Sequence, residues 1–218
     1  YPGYSVAKMD PTGALLWNMY VENYSTYSTG LAVDKNDNIA IVGNGYGSIV
    51  VCKLYGANGK IAWQKIMTNV WTEDSVGLTV QTDPQGHVIV GGFLYNGDDN
   101  DFHVIKFDGA TGDMLWSKAF DIDTSDNESN TLAVDAQGNI LVAGNNFGPH
   151  PDWINALKLD GHTGAVIWAK TIVDPVALFG PTFSHDFECG GATSDKDGNW
   201  YVTMTWSDSA PYTVTIVA

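Results

Sequence analysis

One phrase, a polar Gly turn with a Trp four residues beyond it, is written four times along this chain. It reads "DPTGALLW" at 10–17, "YGANGKIAW" at 55–63, "DGATGDMLW" at 108–116 and "DGHTGAVIW" at 160–168. The four tryptophans, Trp17, Trp63, Trp116 and Trp168, stand 46, 53 and 52 residues apart. Other positions keep the same register. Lys8, Lys53, Lys106 and Lys158 precede the Trp by nine or ten residues. Downstream of each Trp comes an apolar segment that ends in a polar turn: "GLAVDKNDN", "GLTVQTDPQG", "TLAVDAQGN" and "GATSDKDGN". A second apolar run follows each turn: "IAIVG", "VIVGG", "ILVAG" and "WYVTM". An immunoglobulin-like sandwich has no reason to repeat its own Lys and Trp at this interval, and β-helix repeats are far shorter.

Each repeat therefore holds four short segments rich in Val, Ile, Leu and aromatics, bounded by Gly, Asp and Asn, which is strand character. No segment sustains a 3.6-residue period, so almost no helix is expected. Four strands per period of about 50 residues is the blade of a β-propeller. The expected fold is all-β, a propeller of four-stranded antiparallel blades. A partial blade spans 4–20, blades span 29–67, 77–120 and 130–173, and a second partial blade spans 191–218. Two arrangements stay open: a compact four-bladed ring, closed by pairing the last two-strand unit with the first, or part of a longer propeller.

"KFDGATGDMLW" and "KLDGHTGAVIW" resemble the propeller repeats of the SBBP and quinoprotein-like (PQQ-like) class. The shared core is carried by Asp108, Thr111, Gly112 and Trp116, and by Asp160, Thr163, Gly164 and Trp168. The first copy is one residue shorter, and the second has Tyr55 for Asp and Asn58 for Thr. The resemblance implies that each Trp stacks on the Gly turn of the neighbouring blade, at Gly13, Gly59, Gly112 or Gly164. The repeat lysines are expected to lay their stems on apolar strand and pair with Asp34, Asp83 or Asp135. All twelve of these Trp, Gly and Lys positions are thus expected to be structural.

Charge narrows the partners. The chain has 25 acidic residues against ten basic ones, a formal net charge of −15, and every basic residue is Lys. Binding a nucleic acid is driven by neutralising phosphates with Lys and Arg, so nucleic acid is not an expected partner. The longest apolar runs fall far short of 18 residues, so no membrane-spanning helix is expected. Cys52 and Cys189 keep no metal or redox spacing, and sequence alone leaves open whether they are bridged. Asn23 and Asn127 each begin an Asn-x-Ser glycosylation pattern, and both are expected in long surface loops.

Two sets of connections within each repeat are short and alike. The other two are long and unlike one another, and variable loops on a rigid repeat are where binding usually resides. This long-loop face carries the candidate ligand residues Tyr24, Trp71, Tyr95, Asp98, Asp99, Phe147 and Trp153. The aromatics offer stacking surfaces for sugar rings or protein. The acidic groups around Asp98, Asp99 and Asp101 and around Asp121, Asp123 and Asp126 offer carboxylates to calcium, though neither has the Gly-broken spacing of a calcium loop. His87, His103, His150, His162 and His185 form no pair at metal-ligand spacing, and no Gly-x-Ser-x-Gly elbow occurs. No catalytic residue and no resident metal or cofactor is therefore assigned.

The expected function is a non-catalytic extracellular or cell-surface propeller, a structural or protein-interaction scaffold within a larger chain or assembly. Two alternatives remain. One is a fragment of a quinoprotein-like oxidoreductase, which would need further blades and a cofactor-facing cation. The other is a carbohydrate-binding propeller that uses the loop aromatics.

Overall fold

The computed structural model describes residues 3–22, 27–45, 48–68, 76–122, 126–147, 153–173, 187–207 and 211–217. It contains seventeen strands and no helix among these residues. The strands are β1 (Gly3–Met9), β2 (Leu15–Glu22), β3 (Tyr27–Val33), β4 (Ile39–Gly45), β5 (Ser48–Leu54), β6 (Ile61–Thr68), β7 (Val76–Thr82), β8 (Val88–Tyr95) and β9 (Asn100–Phe107). They continue with β10 (Met114–Phe120), β11 (Asp126–Val134), β12 (Ile140–Phe147), β13 (Trp153–Leu159), β14 (Val166–Val173), β15 (Phe187–Ser194), β16 (Trp200–Ser207) and β17 (Pro211–Val217).

They form five antiparallel sheets in chain order: β1–β2, β3 to β6, β7 to β10, β11 to β14, and β15–β16–β17. The three central sheets are four-stranded meanders, the blades of a propeller. Terminal strand β17 pairs with β16 from Tyr201↔Val217 to Ser207↔Pro211. It takes the edge that closure of a four-bladed ring would have given to β1, so the compact-ring arrangement is not the one formed. β11 begins at Asp126, four residues before the expected start of its blade.

Burial explains the sequence pattern strand by strand. The second and third strands of each blade are covered on both faces by neighbouring blades, so they carry near-continuous apolar runs. β4 and β5 are buried at every position. The outermost strands are open on one side, and β10 is exposed or half-buried throughout. The apolar core is divided among the seams. One cluster joins β1–β2 to β4–β5 through Val6, Val21, Ile41 and Leu54. The next joins β4–β6 to β8–β9 through Val42, Val51, Trp63 and Phe107. A third joins β8–β9 to β12–β13, and a fourth joins β12–β13 to β15–β16. Stability in such a stack depends on each blade's contact with the next.

Both cysteines are buried free thiols in different seams, and burial pushes each up to about 12. They serve as small apolar fillers.

His103 is the buried titratable group with the clearest consequence. It sits in β9 with Nε2 2.8 Å from the Ser117 hydroxyl, and burial lowers its pKa to about 4. The folded chain keeps this imidazole neutral where the unfolded chain, with an ordinary value near 6.5, takes up a proton. Its contribution is fully present above pH 6.5 and is lost as pH falls toward 4. The loss is about 1.4 kcal/mol per pH unit, so about 3 kcal/mol in all. Burial raises the carboxyls of Asp101 and Glu128, and these act in the opposite direction at the acid end of that window. Urea midpoints at pH 7 and pH 5 should show the loss in the native chain and little of it in His103→Gln.

Candidate functional site

The repeat turns settle what the Gly–Trp phrase does. A Cβ built on Gly59 would lie 2.8 Å from the indole of Trp17, on Gly112 2.6 Å from that of Trp63, and on Gly164 3.1 Å from that of Trp116. Each indole thus lies against the turn of the following blade, where Gly59 and Gly112 leave no room for a Cβ and Gly164 leaves only a tight fit. These glycines also hold φ near +70°, which disfavours any side chain. Gly13, at the same place in β1–β2, has no neighbour within 4 Å. Trp168 packs partly buried against the last seam cluster.

The lysines complete the seal. Lys8, Lys53, Lys106 and Lys158 stand directly across the ladder from Trp17, Trp63, Trp116 and Trp168. That pairing accounts for their fixed spacing in sequence. Lys53 Nζ lies 2.8 Å from Asp34 and Lys106 Nζ 2.7 Å from Asp83, both pairs buried. Lys158 reaches Asp135 at 3.6 Å and lies 5.4 Å from the ring centre of Trp200 in the next sheet.

Sequence reasoning missed the hub of this contact, the first Gly of each turn. Lys8 donates to the carbonyl of Gly56, Lys53 to that of Gly109 and Lys106 to that of Gly161, at 3.0, 2.9 and 2.6 Å. The indole N–H groups of Trp17 and Trp63 donate to the Gly56 and Gly109 carbonyls as well. A Cβ at Gly56, Gly109 or Gly161 would overlap the carbonyl of Asp37, Gly86 or Gly138, where the two short turns of one blade press together. The repeated Asp-Gly pair was the available signal. Asn44 and Asn145 were missed too. Asn44 Oδ1 accepts from the Gly77 N–H and its Nδ2 donates to the Gly77 carbonyl, while Asn145 Oδ1 accepts from the Cys189 N–H across the next-but-one seam. Their signal was the "GN" that ends both "IAIVGN" and "ILVAGN".

The opposite rim carries the long connections. Tyr95 ends β8, and its hydroxyl donates to the Gly97 carbonyl. In the exposed turn that follows, the Asn96 side chain accepts from the N–H groups of Asp98 and Asp99 and donates to the carboxylates of Asp99 and Asp101. Burial, with the charges of Asp121 and Asp99 adding to it, raises the Asp101 carboxyl. The Asn100 N–H donates to Asp126 of the next blade, whose ladder partner is Phe147. Phe147 is exposed. Tyr95, Asp98, Asp99 and Phe147 thus belong to one stretch of rim linked through Asn100 and Asp126. Trp153 opens β13 opposite Asn146, at the same end of that sheet. Tyr24, Trp71 and Asn23 lie outside the described residues.

Asn127 corrects an expectation. It lies inside β11 rather than in a loop, is fully buried, and accepts from the Asn146 amide at 3.2 Å. Its amide does not face solvent as a glycan acceptor must. Among the described residues, no three His, Cys, Asp or Glu side chains group so as to hold a metal ion. Lys53 and Lys106 are buried and already neutralised by Asp34 and Asp83, so neither offers a free cation to an anionic group such as the carboxylates of pyrroloquinoline quinone. No helix of the described residues is long and apolar enough to cross a membrane.

Comparison with known proteins agrees with this architecture. No curated protein matches the chain in sequence. The crystal structure of BamB from Moraxella catarrhalis is 17% identical with a TM-score of 0.55, and the match covers 97% of this chain and 55% of that one. The Dos1 propeller is 14% identical with a TM-score of 0.58, covering 98% and 53%. Quinohemoprotein alcohol dehydrogenase from Comamonas testosteroni is 14% identical with a TM-score of 0.53, covering 98% and 38%. The chain spans about half or less of the length of these proteins, and at such identities the likeness is one of fold. The family model described as outer membrane protein assembly factor BamB matches residues 3–177, and the chain belongs to that family of PQQ-like β-propellers.

Proposed function

We propose that the chain is a non-catalytic interaction scaffold, located outside the cytoplasm, that receives a protein partner on its long-connection rim. The observation that carries this reading is the division of labour between the two faces. Trp, Lys, Asp and Gly of the repeat are consumed in the seams, whereas Phe147, Tyr95 and the Asp98–Asp99 turn stand on the rim with no structural task of that kind. Exposed Phe147 and half-buried Tyr95 beside acidic groups suit a partner segment that carries Lys or Arg next to apolar residues. Membership of a family described by an assembly factor of outer membrane proteins supports both the role and the location. The role calls on no cofactor.

A photo-crosslinking residue placed at Phe147 tests it in the cell envelope, with a control at Asp197 on the short-turn face. Adducts with a discrete protein are expected at 147, absent at 197, and reduced about tenfold by Asp98→Lys with Asp99→Lys. Equal adducts at both positions would contradict the reading. Alcohol oxidation with an artificial acceptor after adding pyrroloquinoline quinone and calcium would contradict it too.

A further inference from the structure

A cavity of about 350 Å³ opens on the short-turn face, at the seam between the β3–β6 and β7–β10 sheets. This size falls in the ordinary range for small-molecule sites, roughly 300–1,000 Å³. Its lining includes Asn36, Tyr55, Gln85, His87 and Asp108, over a floor made by the Asp34–Lys53 pair.

Two of these residues break the repeat. Every other described turn of the Gly–Trp phrase has Asp where Tyr55 stands, at Asp10, Asp108 and Asp160. The other three blades have Asn where His87 stands, at Asn38, Asn139 and Asn199. Both departures line the same cavity. At both positions the other repeats agree among themselves, and two independent replacements meeting at one seam are not required by the seam itself. The scaffold task of the position persists despite the change, because His87 Nδ1 accepts the Gly109 N–H at 3.1 Å as Asn38 Oδ1 accepts the Gly56 N–H at 3.4 Å. With Nδ1 accepting, the neutral ring carries its proton on Nε2, a donor that Asn38 lacks. Tyr55 is half exposed and adds an aromatic face that an Asp could not supply.

The chemistry on offer is one aromatic face, amide donors and acceptors from Asn36 and Gln85, an imidazole N–H and a carboxylate. Asp108 Oδ1 is occupied by the N–H groups of Ala110 and Thr111, while Oδ2 lies 3.6 Å from His87. The Lys53 ammonium is already shared between Asp34 and two carbonyls, so no free cation awaits an anionic ligand. We propose that this cavity binds a neutral polyhydroxyl ligand of monosaccharide size, stacked on Tyr55 and hydrogen-bonded by His87, Asp108 and the two amides. The site is separate from the protein-binding rim and stands or falls without it.

Saturation-transfer NMR with glucose, galactose, mannose and N-acetylglucosamine at millimolar concentration tests it. Tyr55→Asp and His87→Asn are informative because each restores the residue that the other repeats carry, so both should fold with an unchanged melting temperature. Transfer to at least one sugar is expected, with affinity lowered about tenfold or more by either substitution, the loss expected for one hydrogen bond or stacking contact. Silence from all four sugars, or equal binding by both folded variants, would overturn the proposal. A variant that failed to melt cooperatively would contradict the claim that the repeat residue can take over the scaffold task at these positions.

Discussion

Trp63→Ala is expected to lower stability by about 3–5 kcal/mol, the range for deleting a large buried aromatic. The indole is 7% exposed, lies against Gly112 and Phe107, and donates to the Gly109 carbonyl. Its loss opens a cavity at one seam and leaves that carbonyl with Lys53 as its remaining partner across the seam. In a protein of this size each kcal/mol moves the melting temperature by about 2–4 °C, so a fall of about 6–20 °C should be seen by calorimetry. A linear stack responds locally, and hydrogen exchange should rise most in the strands on either side of that seam. Sugar binding at the neighbouring short turns is expected to weaken only through this loosening, whereas partner capture at Phe147 should persist in the folded fraction.

Asp34→Ala is the second large effect. The carboxylate is buried, which by itself pushes its pKa up, yet the Lys53 ammonium and the N–H groups of Asn38 and Asn36 outweigh burial and hold it below the ordinary value. Removing it strands the Lys53 charge in a site where water has little access, and it also frees two turn amides that Asp34 Oδ1 satisfies at 2.8 and 2.9 Å. Breaking one half of a buried pair in this way costs about 3–5 kcal/mol. Lys53→Met combined with Asp34→Asn should recover part of the loss, because the uncompensated charge is gone and an acceptor for the turn amides returns. Denaturant unfolding of the single and double variants separates these contributions. If the double variant is no more stable than Asp34→Ala, the stranded charge is not the source of the cost.

Much of the fold was legible because the repeat overdetermines it. The Trp, Lys, Asp and Gly of each blade meet one another, so their spacing in sequence records a contact in space. Trp63 and Lys53 face each other across a ladder, and Trp63 and Gly112 face each other across a seam. The short turns were legible for a similar reason, since Gly86, Gly138 and Gly198 hold positive φ, and among the described residues only Asp37 does so without being Gly. The start of β11 was less legible. "DNESN" looks like a polar loop, but Asn127 and Ser129 are buried there and bond to Asn146 and to the Gly92 carbonyl. Polar residues that pair within a ladder or across a seam carry no hydrophobic signal.

The candidate sites divide along the same line. Tyr95, Asp98, Asp99 and Phe147 could be placed on one rim because strand alternation sorts the connections onto two ends. The short-turn cavity was not visible, because its signal is a departure from the repeat at two positions far apart in sequence. Tyr55 reads as an imperfect copy of the repeat Asp, and His87 as an isolated histidine, until the fold sets them beside the same opening. Asn127 shows the reverse error, in which a three-residue pattern suggested a surface position that the ladder then buried.

The central claim is that Trp17, Trp63 and Trp116 each seal against the Gly turn of the following blade. The coupling between Trp63→Ala and Gly112→Ala measures it directly by denaturant unfolding of the two single variants and the double variant. Gly112→Ala should be strongly destabilising in the native background, where its Cβ meets the indole. With Trp63 removed, only the backbone strain of a positive φ should remain, leaving a coupling of about 1–3 kcal/mol. Strict additivity of the two substitutions would contradict the account.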